Sequence, residues 1–119
     1  MKSMLIVMEK RKNILIIFLT GAMWHVSVPE FEEIMIKMIN EEANKIIIDL
    51  KKLEYISSAG ISVLISINNI FKEKKGELFL TGLSAFVKQT LELSQLLYKF
   101  NISESVEEAL GRIKKCDAL

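Results

Sequence analysis

A run of five residues in the middle of the chain, Ile46 to Leu50, is apolar at every position except Asp49. A strand with one face in solvent alternates apolar and polar residues, whereas a strand buried on both faces is apolar almost throughout. The run therefore predicts a central strand in a parallel or mixed sheet that is covered on both sides. The 119 residues, 50% of them hydrophobic, are enough for one compact domain with one core.

Strand and helix patterns alternate along the rest of the chain. Further strands are predicted at 4–8, 14–21, 78–80 and 98–102, with residues 22–26 as a loop, and helices are predicted to begin near Ser27, Ser58, Ser84 and Ser105. Val87 and Leu91 form the inner face of the third helix, and Phe86 is a further candidate for it. The resulting order, β-β-α-β-α-β-α-β-α, predicts an α/β fold with a mixed sheet of about four to five strands against about four helices, in one domain over residues 1–119.

Charge and composition exclude several kinds of partner. The 16 basic and 15 acidic residues nearly cancel, so no strong field recruits nucleic acid or an anionic membrane. Lys10-Arg11-Lys12 before an apolar run resembles a signal peptide, but a second apolar run precedes these charges, which favours a β-hairpin. Neither run approaches the roughly 18 apolar residues of a membrane span. We expect a soluble, cytoplasmic protein.

Cysteine and histidine, which commonly bind metals or act in catalysis, occur once each. The single Cys116 cannot form an internal disulfide, which fits a reducing compartment, and His25 has no second ligand near it in the sequence. The chain also lacks a Gly-x-Ser-x-Gly elbow and a Gly-rich phosphate loop. The sequence therefore predicts no cofactor, no metal and no enzymatic activity.

The segment after the central strand, Ser57-Ser58-Ala59-Gly60-Ile61, predicts a short loop that leads into a helix. We expect the Ser58 hydroxyl to cap this helix. If it were phosphorylated, the same oxygen would carry its charge at the positive end of the helix dipole. Ser57 is an alternative cap or phosphate acceptor, and a cap without further chemistry is the simplest alternative for Ser58.

These residues resemble a known family. The chain is similar to STAS domains of the anti-sigma factor antagonist type. The similarity is carried by Thr20-Gly21, Pro29-Glu30-Phe31, Ile48-Asp49-Leu50 with Leu53 and Tyr55 through Ile61, Leu80-x-Gly82-Leu83, and Ser105 through Leu110. It covers about residues 4 to 115 and implies the STAS fold.

The resemblance also implies a mechanism. Antagonists of this type bind an anti-sigma factor that is also a serine kinase, and this frees the sigma factor. The kinase then phosphorylates the antagonist, which is released, and a PP2C-type phosphatase resets it. By its place in the motif, the phosphate acceptor is Ser58.

The same resemblance implies a partner-binding surface made of Ser57, Ser58, Ala59, Gly60 and Ile61. Family members usually carry two acidic residues in the loop after the second strand, where this chain has Gly21-Ala22-Met23-Trp24. Trp24 is therefore either an apolar anchor for the partner or a ring folded onto the core. A STAS subunit of a signalling scaffold or lipid-transport complex, with Ser58 only as a cap, is the alternative function. The sequence gives no indication of the oligomeric state.

Overall fold

The protein is described by a computed structural model that covers residues 4–40 and 44–117, with Asn40 and residues 114–117 described by their backbone alone. The side chain of Cys116 thus lies outside the described part of the chain. The strands are β1 (Leu5–Arg11), β2 (Ile14–Met23), β3 (Lys45–Ile56), β4 (Glu77–Thr81) and β5 (Asn101–Ser103). The helices are α1 (Val28–Asn40), α2 (Ser58–Glu73), α3 (Ala85–Leu93) and α4 (Val106–Asp117), with a 3-10 turn at Leu97–Lys99.

The five strands form one mixed sheet in the order β1-β2-β3-β4-β5. The β1 strand pairs antiparallel with β2 in the expected hairpin, and each later pair is parallel. Parallel neighbours need crossover connections, which α1, α2 and α3 supply in turn. The carboxyl ends of β2 to β5 therefore lie at the same end of the sheet, and all four helices begin at that end.

Helices cover both faces of the sheet. Side chains of α1, α2 and α3 pack in one apolar cluster with Ile46 and Ile48, whereas α4 packs in a second cluster with Ile47. Successive residues of a strand point to opposite faces, so three consecutive isoleucines contribute to both clusters. All three are fully buried. The prediction of a central strand covered on both sides is confirmed, as is the mixed sheet with four helices.

Three boundaries differ from the sequence prediction. The β2 strand does not end at Gly21 but continues to Met23, and Gly21, with a φ of 102°, lies at a register shift against β3. The β3 strand is not confined to 46–50, since it runs 12 residues to Ile56. The strand predicted around Tyr98 starts only at Asn101, because a 3-10 turn precedes it, and Tyr98 is 78% exposed.

Candidate functional site

The junction between β3 and α2 consists of one residue, Ser57. Its backbone is extended, with φ −77° and ψ 164°, and its amide donates to the carbonyl of Met23 at the end of β2 over 2.9 Å. Its hydroxyl accepts a hydrogen bond from the amide of Gly60 over 3.2 Å. Ser57 is therefore the N-cap of α2, and the prediction that Ser58 caps this helix is wrong. The cap moves back by one residue because β3 continues to Ile56 and α2 begins immediately after Ser57.

Ser58 is the first residue of α2 and is exposed, as is Ala59 after it. The first amides of a helix lack partners within the helix and lie at the positive end of its dipole. A phosphoryl group on Ser58 would sit at this end, where anions are favoured. The Ser57 cap and the exposed Ser58 hydroxyl are separate groups, so modification of Ser58 leaves the capping hydrogen bond in place.

The other predicted partner-contact residues of this segment are buried. Ser57 and Ile61 are 9% and 7% exposed, and Gly60 is also buried. A Cβ atom on Gly60 would lie 2.6 Å from the sulfur of Met23 and 2.8 Å from Cγ1 of Ile56. Position 60 therefore requires a glycine, because α2 packs closely on the ends of β2 and β3. In this segment the surface is formed by Ser58 and Ala59, and the buried residues hold them in place.

Trp24 follows β2 directly, beside the start of α2. Its ring is half-buried and contacts the ring of Tyr55 on β3, with a centroid separation of 4.5 Å. Tyr55 in turn contacts Phe86 in the first turn of α3, with centroids 5.5 Å apart. We call these three rings, Trp24, Tyr55 and Phe86, the aromatic strip. Phe86 is 46% exposed, so this candidate for the inner face of α3 does not belong to it.

The aromatic strip exists because β3 is longer than β4. Their ladder ends where Asp49 lies opposite Thr81, and β3 then continues for seven residues to Ile56 beside the β4–α3 turn. Gly82 allows this turn to come close, since its φ is +63° and a Cβ there would lie 2.9 Å from Cβ of Lys51. Ser84 then caps α3 by accepting from the amide of Val87 over 3.2 Å. These features bring Phe86 next to Tyr55.

The sequence predicted the motif residues as partner contacts, but it did not predict that Tyr55 and Phe86 form a surface with Trp24. Tyr55 belonged to the motif but was not predicted as a contact residue, and Phe86 was predicted only as a further candidate for the inner face of α3. An aromatic residue in the first turn of a helix whose inner face is already filled by Val87 and Leu91 is a signal that could have placed Phe86 at the surface.

His25 is exposed, and the described side chains contain no group of three or more His, Cys, Asp or Glu that could hold a metal ion. Within residues 4–40 and 44–117, no helix has the length and apolarity to cross a membrane.

The family model for the STAS domain matches residues 6–109. The chain belongs to the STAS domain family. Over 111 residues this STAS domain is 29% identical to BtrV of Bordetella bronchiseptica, a protein assigned to the anti-sigma factor antagonists, and the alignment covers 93% of this chain and 96% of BtrV.

Solved STAS structures share the fold. An anti-sigma factor antagonist from Mycobacterium paratuberculosis superposes with a TM-score of 0.85 at 17% identity, over 94% of this chain and 95% of that one. SpoIIAA of Bacillus is similar in its unphosphorylated form, with a TM-score of 0.75 at 18% identity over 92% of this chain and 98% of SpoIIAA. Its phosphorylated form gives a TM-score of 0.73 at 20% identity over 92% and 99%. The expected STAS fold is confirmed.

Proposed function

We propose that this STAS domain is an anti-sigma factor antagonist, a regulatory protein whose partner is an anti-sigma factor with serine kinase activity. In its unphosphorylated form it binds that partner. Phosphorylation of Ser58 ends the complex, and a PP2C-type phosphatase restores the unphosphorylated form. The relatives named above as antagonists support this assignment, and the switch is proposed to act in the cytoplasm.

The observation that carries the proposal is that two adjacent serines, Ser57 and Ser58, differ in burial and in structural role. Ser57 is buried and caps α2, whereas Ser58 is exposed in the first turn. A kinase needs an accessible hydroxyl, and a reversible switch needs a modification that leaves the fold intact. The exposed Ser58 meets the first need, and the separate cap at Ser57 meets the second.

The physical effect of the phosphate follows from its place at the helix start. It adds about −1.5 to −2 charges at pH 7. At the N-terminus of α2 this charge is favoured by the helix dipole, so the modified domain stays folded. The modification therefore acts on the surface that a partner covers, where a dianion must be either paired or left in water.

A STAS subunit without a phosphorylation switch is the second candidate function. It is favoured by the end of β2 and the residue after it, because Ala22 and Trp24 stand in positions at which the resembling antagonists usually carry acidic residues. In that case Ser58 is only an exposed helix residue, and the protein is a permanent component of a signalling scaffold or a lipid-transport complex.

One experiment separates the two functions. The protein is incubated with ATP and the serine kinase of the anti-sigma factor type encoded in the same genome, and phosphopeptides are mapped by mass spectrometry. The proposal expects phosphate on Ser58 in the wild type and its loss in Ser58→Ala. Phosphate on Ser57 alone would overturn the assignment of Ser58 as the acceptor. No phosphate at all, while the two proteins bind each other stably, supports the second candidate.

A further inference from the structure

The surface beside Ser58 is apolar over a contiguous area. Single exposed apolar side chains are common, but contiguous apolar patches mark binding sites. In the aromatic strip the Tyr55 ring contacts both the Trp24 ring and the Phe86 ring, and the outer ring, Phe86, is 46% exposed. Val26, two residues after Trp24 in the sequence, has a side chain that is 60% exposed. The strip adjoins the start of α2, since the Met23 carbonyl before Trp24 accepts from the Ser57 amide.

The residues around the strip carry little charge. No residue of α2 from Ser58 to Phe71 is ionisable, and the segment 22–29 contains no Asp, Glu, Lys or Arg. The nearest charged residues to Tyr55 and Phe86 along those elements, Glu54 on β3 and Lys88 on α3, have opposite signs. This part of the surface therefore has no field that would select a strongly acidic or strongly basic partner.

We propose that the partner covers the aromatic strip with an apolar face, and that phosphate on Ser58 breaks the complex because a dianion cannot be desolvated against that face. The inference rests on the proposed function and specifies how its switch works. A basic partner face would gain affinity from the phosphate, which is the wrong sign for release. An acidic face would repel the phosphate, but nothing in the charge of this surface attracts such a face in the unphosphorylated state.

Desolvation and repulsion differ in their response to salt. Repulsion between exposed charges is screened at 1 M salt, where the Debye length is about 3 Å, whereas the cost of removing a charge from water remains. The probe is the anti-sigma factor kinase of the same genome, with ADP bound, titrated with unphosphorylated and Ser58-phosphorylated protein at about 0.1 and 1 M NaCl. We expect the affinity of the unphosphorylated protein to change less than about threefold between the two salts, and phosphorylated protein to remain unbound at both. Recovery of binding by phosphorylated protein at 1 M NaCl would show that repulsion is the mechanism.

Ring variants test the contact surface directly. Phe86→Ala is expected to weaken binding about tenfold or more, as buried aromatic anchors do. Tyr98→Ala is the matched control, because Tyr98 is an exposed aromatic residue in the turn that precedes β5. This turn lies at the opposite end of the parallel strands. We expect Tyr98→Ala to bind within about twofold of the wild type. Since Phe86 is 46% exposed, its truncation is compatible with folding, and a thermal melt of each variant checks this.

Failure of the inference can be distinguished from failure of the proposed function. If the wild type binds the kinase and is phosphorylated on Ser58, but Phe86→Ala binds as tightly as Tyr98→Ala, the antagonist function stands and the apolar contact is wrong. If the wild type neither binds the kinase nor accepts phosphate on Ser58, the proposed function is wrong and the inference falls with it.

Discussion

The hydroxyl of Ser57 accepts a hydrogen bond from the amide of Gly60 over 3.2 Å, while the next side chain, Ser58, is exposed at the first position of the same helix. Two adjacent serines thus have different surroundings and different tasks. The buried one stabilises the start of α2, and the exposed one is accessible to a kinase. This arrangement lets the two roles be tested by separate substitutions.

Ser57→Ala should lower the free energy of unfolding by about 1 kcal/mol, because it removes the cap of α2. Ser58→Ala should change it by less than about 0.5 kcal/mol, since alanine is a good helix former at an exposed position. Urea denaturation of the two variants under the same conditions measures both values. A larger loss in Ser58→Ala than in Ser57→Ala would contradict the assignment of the cap.

The cap also shows where sequence reasoning reaches its limit. Both serines have the right chemistry, and either could begin a helix. The choice is made by the end of β3, since Ser57 is held by a backbone hydrogen bond to Met23, 34 positions earlier in the chain. A contact between two strand ends is a property of the tertiary structure, and a local motif does not contain it.

The same reason explains the underestimated strands. The apolar pattern identified 46–50 correctly, because there β3 is covered on both faces. Beyond Leu50 the strand loses β4 as its neighbour, and the exposed Lys51, Lys52 and Glu54 interrupt the pattern. Strand pairing with β2 continues without an apolar signature, and so the sequence indicated the core of the strand but not its length.

Ser58→Asp should weaken the complex with the anti-sigma factor kinase about tenfold or more, because it places an unpaired charge in the contact. Ser58→Ala should bind within about twofold of the wild type and stay bound after incubation with ATP. Isothermal titration calorimetry, with and without a preceding kinase reaction, gives both results. Equal affinities for Ser58→Asp and the wild type would remove the physical basis of the switch.

Gly60→Ala should destabilise the fold by about 1–3 kcal/mol, because the added Cβ would lie 2.6 Å from the sulfur of Met23 in a close-packed region. Since Gly60 is buried, the loss should appear in folding rather than in binding by the folded fraction, although the resemblance implies that Gly60 belongs to the partner-binding surface.

Gly111→Ala is the matched control for this substitution. It lies within α4, and nothing stands within 4 Å of the position of its Cβ. Alanine there should raise the free energy of unfolding by about 0.5–1 kcal/mol through helix propensity. If both glycine variants lose stability equally in thermal melts, helix backbone effects rather than the contact with Met23 explain the result.

The aromatic strip was beyond the reach of local patterns, since its rings come from β2's end, β3 and α3, three elements that are distant in sequence. Sequence reasoning left two readings for Trp24, a partner anchor or a ring folded onto the core. The structure combines parts of both, because the ring is half-buried against Tyr55 and yet belongs to a surface that continues to the exposed Phe86. Its truncation should therefore affect stability as well as binding.

A double-mutant cycle on Trp24→Ala and Tyr55→Ala measures the contact on which the strip depends. Because the centroids of the two rings are 4.5 Å apart, we expect a coupling of about 0.5–1.5 kcal/mol in the free energy of unfolding. The control cycle pairs Trp24→Ala with Tyr98→Ala, because Tyr98 is exposed at the opposite end of the parallel strands. The effects of these two substitutions on the free energy of unfolding should be additive within about 0.5 kcal/mol. A coupling between Trp24 and Tyr55 no larger than that of the control would mean that the two rings do not pack on each other in solution.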